Sequence, residues 1–175
     1  MSKGSKFKEL GKSASKQNYD NPDASILEVF DSPFADKKAN RNTVTGTIHI
    51  EAPEFTSVCP ITGQPDFANI VIDYCPDKLC VESKSLKVYL GAFRQHPEFH
   101  EACVNRIAND LIDKLDPLSI TVEGRFTPRG GIPFWPTASY VRGAKRQGAS
   151  KVSGLSPGNK EKRKFFLLQK LPAEQ

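Results

Sequence analysis

Two hydrophobic periodicities follow one another along the chain, and their order restricts the fold more than any other feature. Apolar and polar residues alternate, as in strands, over about 43–52, 67–74, 119–126 and 132–141. Between the second and third segments, apolar residues recur every three to four positions over about 83–94 and 98–115, as in helices. The order strand, strand, helix, helix, strand, strand predicts an α+β layer: a four-stranded, mostly antiparallel sheet with two helices on one face.

The length and composition predict one folded domain with flanking segments. The chain has 175 residues, of which 38% are hydrophobic, enough for one real core. We predict a flexible N-terminal extension at 1–40, a folded domain at 41–142 and a basic tail at 143–175. Within the extension, apolar residues at 25–34 predict an arm packed on the body or on a neighbour.

Charge and cysteine usage narrow the class of protein. The net charge is +5. The segment from Arg142 onward has nine Lys/Arg and two Asp/Glu, whereas residues 1–141 have 16 Lys/Arg and 18 Asp/Glu. The basic character therefore belongs to the tail, which lacks the interleaved aromatics of a single-strand binder, so nucleic acid is not expected as the main partner. No apolar run suits a membrane span or signal peptide, which predicts a cytoplasmic protein. Its four cysteines include no C-x-x-C pair, so reduced thiols and no metal site are expected.

Cys59 and Asp66 have the parts for nucleophilic catalysis. The segment 53–65 holds three prolines and a glycine, which predicts a shaped loop that carries Cys59, and Asp66 follows at the start of the second strand. A thiolate beside a carboxylate can attack an electrophile while the carboxylate moves the proton. The alternative is a structural cysteine next to a strand-capping aspartate.

Both helix starts carry polar residues that suit a ligand or a cap. The run Glu82-Ser83-Lys84 opens the first helix, where free N–H groups and the helix dipole favour an anion. The pair His100-Glu101 opens the second, where a carboxylate can accept two parallel hydrogen bonds from a guanine-like base edge. Ordinary helix capping explains both equally well.

One glycine-containing turn could bind phosphate. In Arg129-Gly130-Gly131, arginine supplies a planar donor and the glycines allow close approach of the backbone. The chain contains neither G-x-G-x-x-G nor G-x-x-x-x-G-K-[ST], so neither a Rossmann fold nor a P-loop is indicated.

Four blocks in this order resemble the QueF family of NADPH-dependent 7-cyano-7-deazaguanine reductases, in its single-module branch. The resemblance covers about residues 40–141. The blocks are SVCPITGQPD at 57–66, ESKSLK at 82–87, FHE at 99–101 and FTPRGG at 126–131.

The resemblance implies a fold and a reaction. The fold would be the tunnelling fold, whose sheet-and-two-helix units close edge to edge into barrels, here a decamer of two face-to-face pentamers. The reaction would reduce the nitrile of a deazapurine base to a primary amine with two NADPH, in the biosynthesis of the tRNA nucleoside queuosine.

The resemblance also implies residue roles. Cys59 would be the thioimide nucleophile and Asp66 the proton donor. The positions that match the family's substrate contacts are Val81, Glu82, Ser83, His100 and Glu101. The positions that match its cofactor contacts are Ser83, Lys84, Arg129 and Gly130.

Some features depart from the family pattern, and two other readings stay open. Val88 stands where a leucine or tyrosine is expected, Trp135 replaces a more polar stretch, and the basic tail matches nothing in the family. A cyclohydrolase of the same fold would need a Cys-His set for zinc. A non-catalytic, ring-forming RNA-binding protein would use the basic tail.

Overall fold

The computed structural model describes residues 18–35 and 42–144. Residues 1–17, 36–41 and 145–175 lie outside this part, and with them most of the predicted basic tail and much of the predicted extension. The helices are α1 (Ser83–Gly91) and α2 (His100–Leu115), and a 3-10 turn covers Ala24–Ile26. The strands are β1 (Val29–Asp31), β2 (Ile48–Val58), β3 (Pro65–Cys75), β4 (Leu79–Val81), β5 (Ser119–Arg129), β6 (Ile132–Phe134) and β7 (Thr137–Val141).

The main sheet is antiparallel throughout, and it confirms the predicted α+β layer. Its order is β2-β3-β5, and both β6 and β7 pair with β5. The predicted fourth strand is thus one strand interrupted at Trp135-Pro136, where proline cannot donate to the ladder. In the β3–β5 pair, Ala68 lies opposite Phe126.

The predicted loop at 53–65 was too long, because β2 continues to Val58. The burial alternation persists beyond the prolines: Phe55 and Ser57 are both buried. A register shift between Ala52 and Phe55 accommodates Pro53, which has no N–H for the ladder. The connection between the two strands is therefore only residues 59–64, and β2 begins at Ile48 rather than near residue 43.

The two helices cover one face of the sheet. The predicted face of α2 is buried as expected, at Val104, Ile107, Leu111 and Leu115. Gly124 of β5 permits this close packing, because a Cβ there would lie 2.7 Å from Cγ2 of Val104. Each large side chain buried in this layer stabilises the fold by about 1.5–3 kcal/mol. The second helix ends at Asp116, which adopts a left-handed conformation (φ 42°) just before Pro117.

The arm predicted at 25–34 packs on the body of the domain. Strand β1 pairs antiparallel with β4, so that Val29 lies opposite Val81. Leu27 is buried, and the backbone N–H of Glu28 donates to the hydroxyl of Ser85 in α1 at 3.0 Å. The arm therefore joins the region where the first helix begins.

None of the helices in residues 18–35 and 42–144 is both long enough and apolar enough to cross a membrane.

Candidate active site

Cys59 is presented by a tight connection between β2 and β3. The pair Val58 and Pro65 closes the hairpin. The Cys59 N–H donates to the Gln64 carbonyl, and the Gly63 N–H donates to the Cys59 carbonyl, both at 2.9 Å. Gly63 has φ +67°, which glycine adopts at little cost. These bonds fix the backbone on both sides of a partly exposed thiol.

Hydrogen bonds to sulfur lower the pKa of Cys59 to about 6. The hydroxyl of Thr62 has the largest effect, followed by the backbone N–H groups of Thr62 and Ile61, with a smaller effect from Arg129. Donors favour the thiolate because they stabilise its charge. At neutral pH most of the thiol is therefore in its nucleophilic form.

Asp66 is held by two cationic or potentially cationic side chains. It is only 4% exposed at the start of β3. The guanidinium of Arg129 contacts Oδ1, and Nε2 of His100 lies 3.2 Å from Oδ2. The imidazole stacks on the ring of Phe126, with centroids 3.7 Å apart and planes within 10°. The stack fixes the imidazole next to the carboxylate.

His100 lies beside the Asp66 carboxylate as a hydrogen-bond donor. Burial lowers the pKa of His100, partly opposed by the nearby charge of Glu101. The imidazole is therefore mainly neutral at pH 7 and can donate Nε2–H to Asp66. Together with Cys59, Asp66 and Arg129 it forms what we call the Cys59 cluster.

Arg129 connects the two groups predicted to react. Its guanidinium reaches both the Asp66 carboxylate and the Cys59 sulfur, while its side chain is 46% exposed. It begins a hairpin whose turn residues, Gly130 and Gly131, have φ +56° and +80°. Positive φ at both positions suits the two-residue turn that fits a twisted hairpin.

A groove at the start of α1 contains three of the predicted substrate residues. Its volume is about 460 Å³, and it is lined by Phe30, Val81, Glu82 and Ser83. Phe30 comes from the N-terminal arm. No ligand role was predicted for Phe30, because the pairing of β1 with β4 does not follow from local sequence patterns.

Glu82 caps the first helix with both carboxylate oxygens. Oε1 accepts from the backbone N–H of Lys84 at 2.8 Å, and Oε2 accepts from that of Ser85 at 2.7 Å. Burial raises the pKa of Glu82, but these bonds outweigh it and leave the pKa below the usual 4.5. Oε1 also accepts from the hydroxyl of Ser83 at 3.3 Å, so Oε2 is the oxygen that keeps a lone pair for a ligand.

Replacing Glu82 by alanine should therefore destabilise the protein. We expect the free energy of unfolding in urea to fall by about 1–2 kcal/mol, because two helix N–H groups lose their partner. The difference should be present above pH 4.5 and shrink as the pH falls, since the folded-state pKa is lowered. Glu82→Asp keeps a capping carboxylate and is the control; equal stability of wild type and Glu82→Ala would contradict the capping role.

The other predicted site residues lie at helix and turn positions outside the Cys59 cluster. Lys84 is in the first turn of α1, partly exposed, and Gly130 is exposed in its turn. Glu101 is in the first turn of α2 and is exposed. Thr62 and Phe126 lie within two of the blocks that resemble the family, but no role was predicted for either, because their contacts with Cys59 and His100 follow only from the folded structure.

The remaining cysteines are unlike Cys59. Cys80 and Cys103 are buried, and burial raises the pKa of Cys103 to about 12 and also raises that of Cys75. Across residues 18–35 and 42–144, no three His, Cys, Asp or Glu side chains are arranged to hold a metal ion.

The fold defines a class, the tunnelling-fold proteins, and here it carries a partly exposed cysteine whose pKa is lowered. The crystal structure of the archaeosine synthase QueF-Like in the apo form matches with a TM-score of 0.50 at 17% identity, covering 53% of this chain and 91% of that one.

Sequence comparisons then give the family. The family model described as QueF-like protein matches residues 65–145. A protein of Streptococcus mutans serotype c named NADPH-dependent 7-cyano-7-deazaguanine reductase is 50% identical to this chain over 133 residues. The match covers 76% of this chain and 77% of the relative. A Bacillus velezensis protein of the same name is 55% identical over 115 residues, which cover 66% of this chain and 68% of that protein. The chain belongs to this family of NADPH-dependent 7-cyano-7-deazaguanine reductases.

Proposed function

We propose that the protein reduces the nitrile of 7-cyano-7-deazaguanine to the primary amine, with NADPH as reductant, in queuosine biosynthesis. The observation that carries the proposal is the Cys59 cluster: a thiol with a pKa of about 6, connected through Arg129 to a buried aspartate. The names of the relatives supply the substrate and the cofactor.

Cys59 would activate the nitrile by covalent addition. Its sulfur forms a bond to the nitrile carbon, and the nitrile nitrogen takes a proton, giving a thioimide. The thioimide carbon is a better hydride acceptor than the nitrile carbon, because its nitrogen can be protonated. After the first reduction the carbon–sulfur bond breaks, which releases the thiolate and leaves an imine for the second reduction.

Asp66 would carry the protons that the nitrogen needs. In the free enzyme Arg129 and His100 stabilise its carboxylate. When Cys59 attacks from its protonated form, the thiol proton would pass to Asp66, and Asp66 would deliver it to the nitrile nitrogen. Its burial excludes bulk water from this transfer, which keeps the proton on a fixed path.

Recognition of the base would use the groove and the start of α2. Glu82 lines the groove beside Val81 and Ser83, and its Oε2 has a lone pair for the base. His100 belongs to the Cys59 cluster, and the exposed Glu101 in the same helix turn would accept from ring N–H groups.

The residues present also fit the cofactor. Arg129 offers an exposed cation beside Gly130, where nothing lies within 4 Å of the position a Cβ would occupy. Such an open turn admits a phosphate close to backbone N–H groups. Ser83 and Lys84, at the first turn of α1, would supply further donors. When bound, each NADPH would provide one hydride, so two NADPH would be used for each nitrile.

Assembly would complete the site. The exposure of Glu101 suits contact with a ligand held partly by a second subunit. We propose a homo-oligomer in which edge strands of neighbouring subunits pair, in the decameric arrangement expected from the family.

The proposed function is tested by turnover. Purified protein with 7-cyano-7-deazaguanine should oxidise two NADPH per amine formed, followed by absorbance and by mass spectrometry of the product. Guanine, which has the same base edge but no nitrile, is the control and should cause no oxidation. Failure of correctly folded protein to form the amine would reject the proposal.

A further inference from the structure

The hairpin that carries Arg129 also presents an exposed aromatic pair. In β6 and directly after it, Phe134 is 50% exposed and Trp135 is 47% exposed. Large apolar side chains normally leave water, so two half-exposed aromatic residues in succession indicate that this hairpin binds a ligand or a partner. Trp135 is the only tryptophan of the chain.

Trp135 is held in a fixed orientation. Its indole N–H donates to the carbonyl of Phe126 at 3.3 Å, at the point where the β5–β6 register shifts between Phe126 and Arg129. The bond satisfies the polar atom of the indole and leaves the apolar ring half exposed. A ring fixed in this way loses little entropy when a second ring packs on it.

Phe134 lies next to the Cys59 cluster, and Trp135 is connected to the same region through the Phe126 carbonyl. The ring of Phe134 is 6.3 Å from that of His100, and Phe126, whose carbonyl anchors Trp135, stacks under the same imidazole. His100 in turn faces Asp66. A planar ligand on this surface would therefore be adjacent to the groups that handle the proton.

We propose that Trp135, supported by Phe134, is a binding surface for the nicotinamide ring of the cofactor and positions that ring for hydride transfer. The inference rests on the proposed function. Hydride transfer requires the donor ring to lie against the carbon attached to Cys59, within roughly 3–3.5 Å between reacting atoms.

The chemistry of the hairpin favours the cofactor over the base. A dinucleotide combines planar rings with a pyrophosphate, so its site needs an apolar surface and a cation close together. Trp135 and Arg129 provide both on one hairpin. The deazapurine instead needs acceptors for its N–H groups, and Glu82 provides these at the start of α1.

The test compares Trp135→Ala with Trp135→Phe, which keeps a flat apolar ring. We expect alanine to raise the dissociation constant of NADPH, measured by calorimetry, by roughly 5- to 30-fold, the range typical of lost ring stacking. Phenylalanine should stay within about threefold of wild type. Among competing fragments, reduced nicotinamide mononucleotide should bind more weakly to Trp135→Ala, and 2′-phospho-ADP-ribose should bind unchanged.

Two readouts separate this inference from the proposed function and from a structural role. The covalent adduct at Cys59 forms without cofactor, so its rate should be the same in Trp135→Ala and wild type. In wild type, NADPH should also quench indole fluorescence. The inference would be overturned if Trp135→Ala bound NADPH normally, or if it lost affinity only for the adenosine fragment or for the base. A change of oligomer size in sedimentation would also overturn it and would assign Trp135 to a subunit interface.

Discussion

Cys59→Ala should eliminate both the covalent adduct and the reduction of the nitrile. Wild-type protein mixed with 7-cyano-7-deazaguanine in the absence of NADPH should gain the mass of one base, mapped to the Cys59 peptide. The alanine variant should gain none, and its turnover should fall by more than about 10³-fold, because removing a nucleophile removes the covalent route.

The matched control is Cys75→Ala. Cys75 is a free, half-buried thiol at the end of β3, and burial raises its pKa, so it should be a poor nucleophile at neutral pH. We expect this variant to form the adduct at the wild-type rate. An adduct in Cys59→Ala, or on any other cysteine of the wild type, would contradict the assignment.

The pH dependence of adduct formation gives an independent check of the electrostatics. Because the pKa of Cys59 is lowered to about 6, the thiolate fraction is nearly constant above pH 7 and falls tenfold per unit well below pH 6. An ordinary thiol with a pKa of 9.0 would instead keep gaining rate up to pH 9. Thr62→Val removes the strongest donor to the sulfur and should move the midpoint upward.

The parts of the fold that the sequence predicts well are those set by local periodicity. The buried face of α2 and the order of the elements follow from spacing along the chain, and both are confirmed. The length of β2 was underestimated, because prolines normally end a strand. Here a bulge absorbs Pro53, and burial of Phe55 and Ser57 continues the ladder.

The contacts within the site depend on register, which local patterns do not specify. Ala68 pairs with Phe126, so the end of β5 meets the start of β3 and Arg129 reaches Asp66. In the sequence Arg129 suggested only a phosphate contact, and nothing indicated that it would also join a carboxylate and a thiol. The same limit explains Phe30, which reaches the groove only through the β1–β4 pairing.

Asp66→Asn should leave the base bound and slow its reduction by about 10²- to 10⁴-fold, the usual contribution of a positioned proton donor. Asparagine has nearly the same shape: its amide oxygen can still accept from Arg129, and its NH2 group can donate to Nε2 of His100 once the imidazole carries its proton on Nδ1, so the fold and the groove should persist. It cannot release a proton to the nitrile nitrogen, and each reduction step places a proton there.

Binding and chemistry are best separated in two measurements. Affinity for the base is measured by calorimetry in a Cys59→Ala background, where no covalent bond forms, and it should change by less than about threefold on adding Asp66→Asn. Turnover is measured with Cys59 intact. Asp73→Asn is the matched control. Asp73 lies on the same strand, an odd number of residues from Asp66 and therefore on the other face of the sheet, where it is hydrogen-bonded to His49 at 2.7 Å.

Base affinity and turnover, measured together for Asp66→Asn, distinguish three outcomes. If base affinity and turnover fall together, the carboxylate mainly holds Arg129 and His100 in place, and the asparagine has disturbed the site. If turnover is unchanged, the proton reaches the nitrogen by another route, and the role given to Asp66 is wrong. Only slow turnover with normal binding fits a buried carboxylate, 4% exposed, that passes a proton without contact with bulk water.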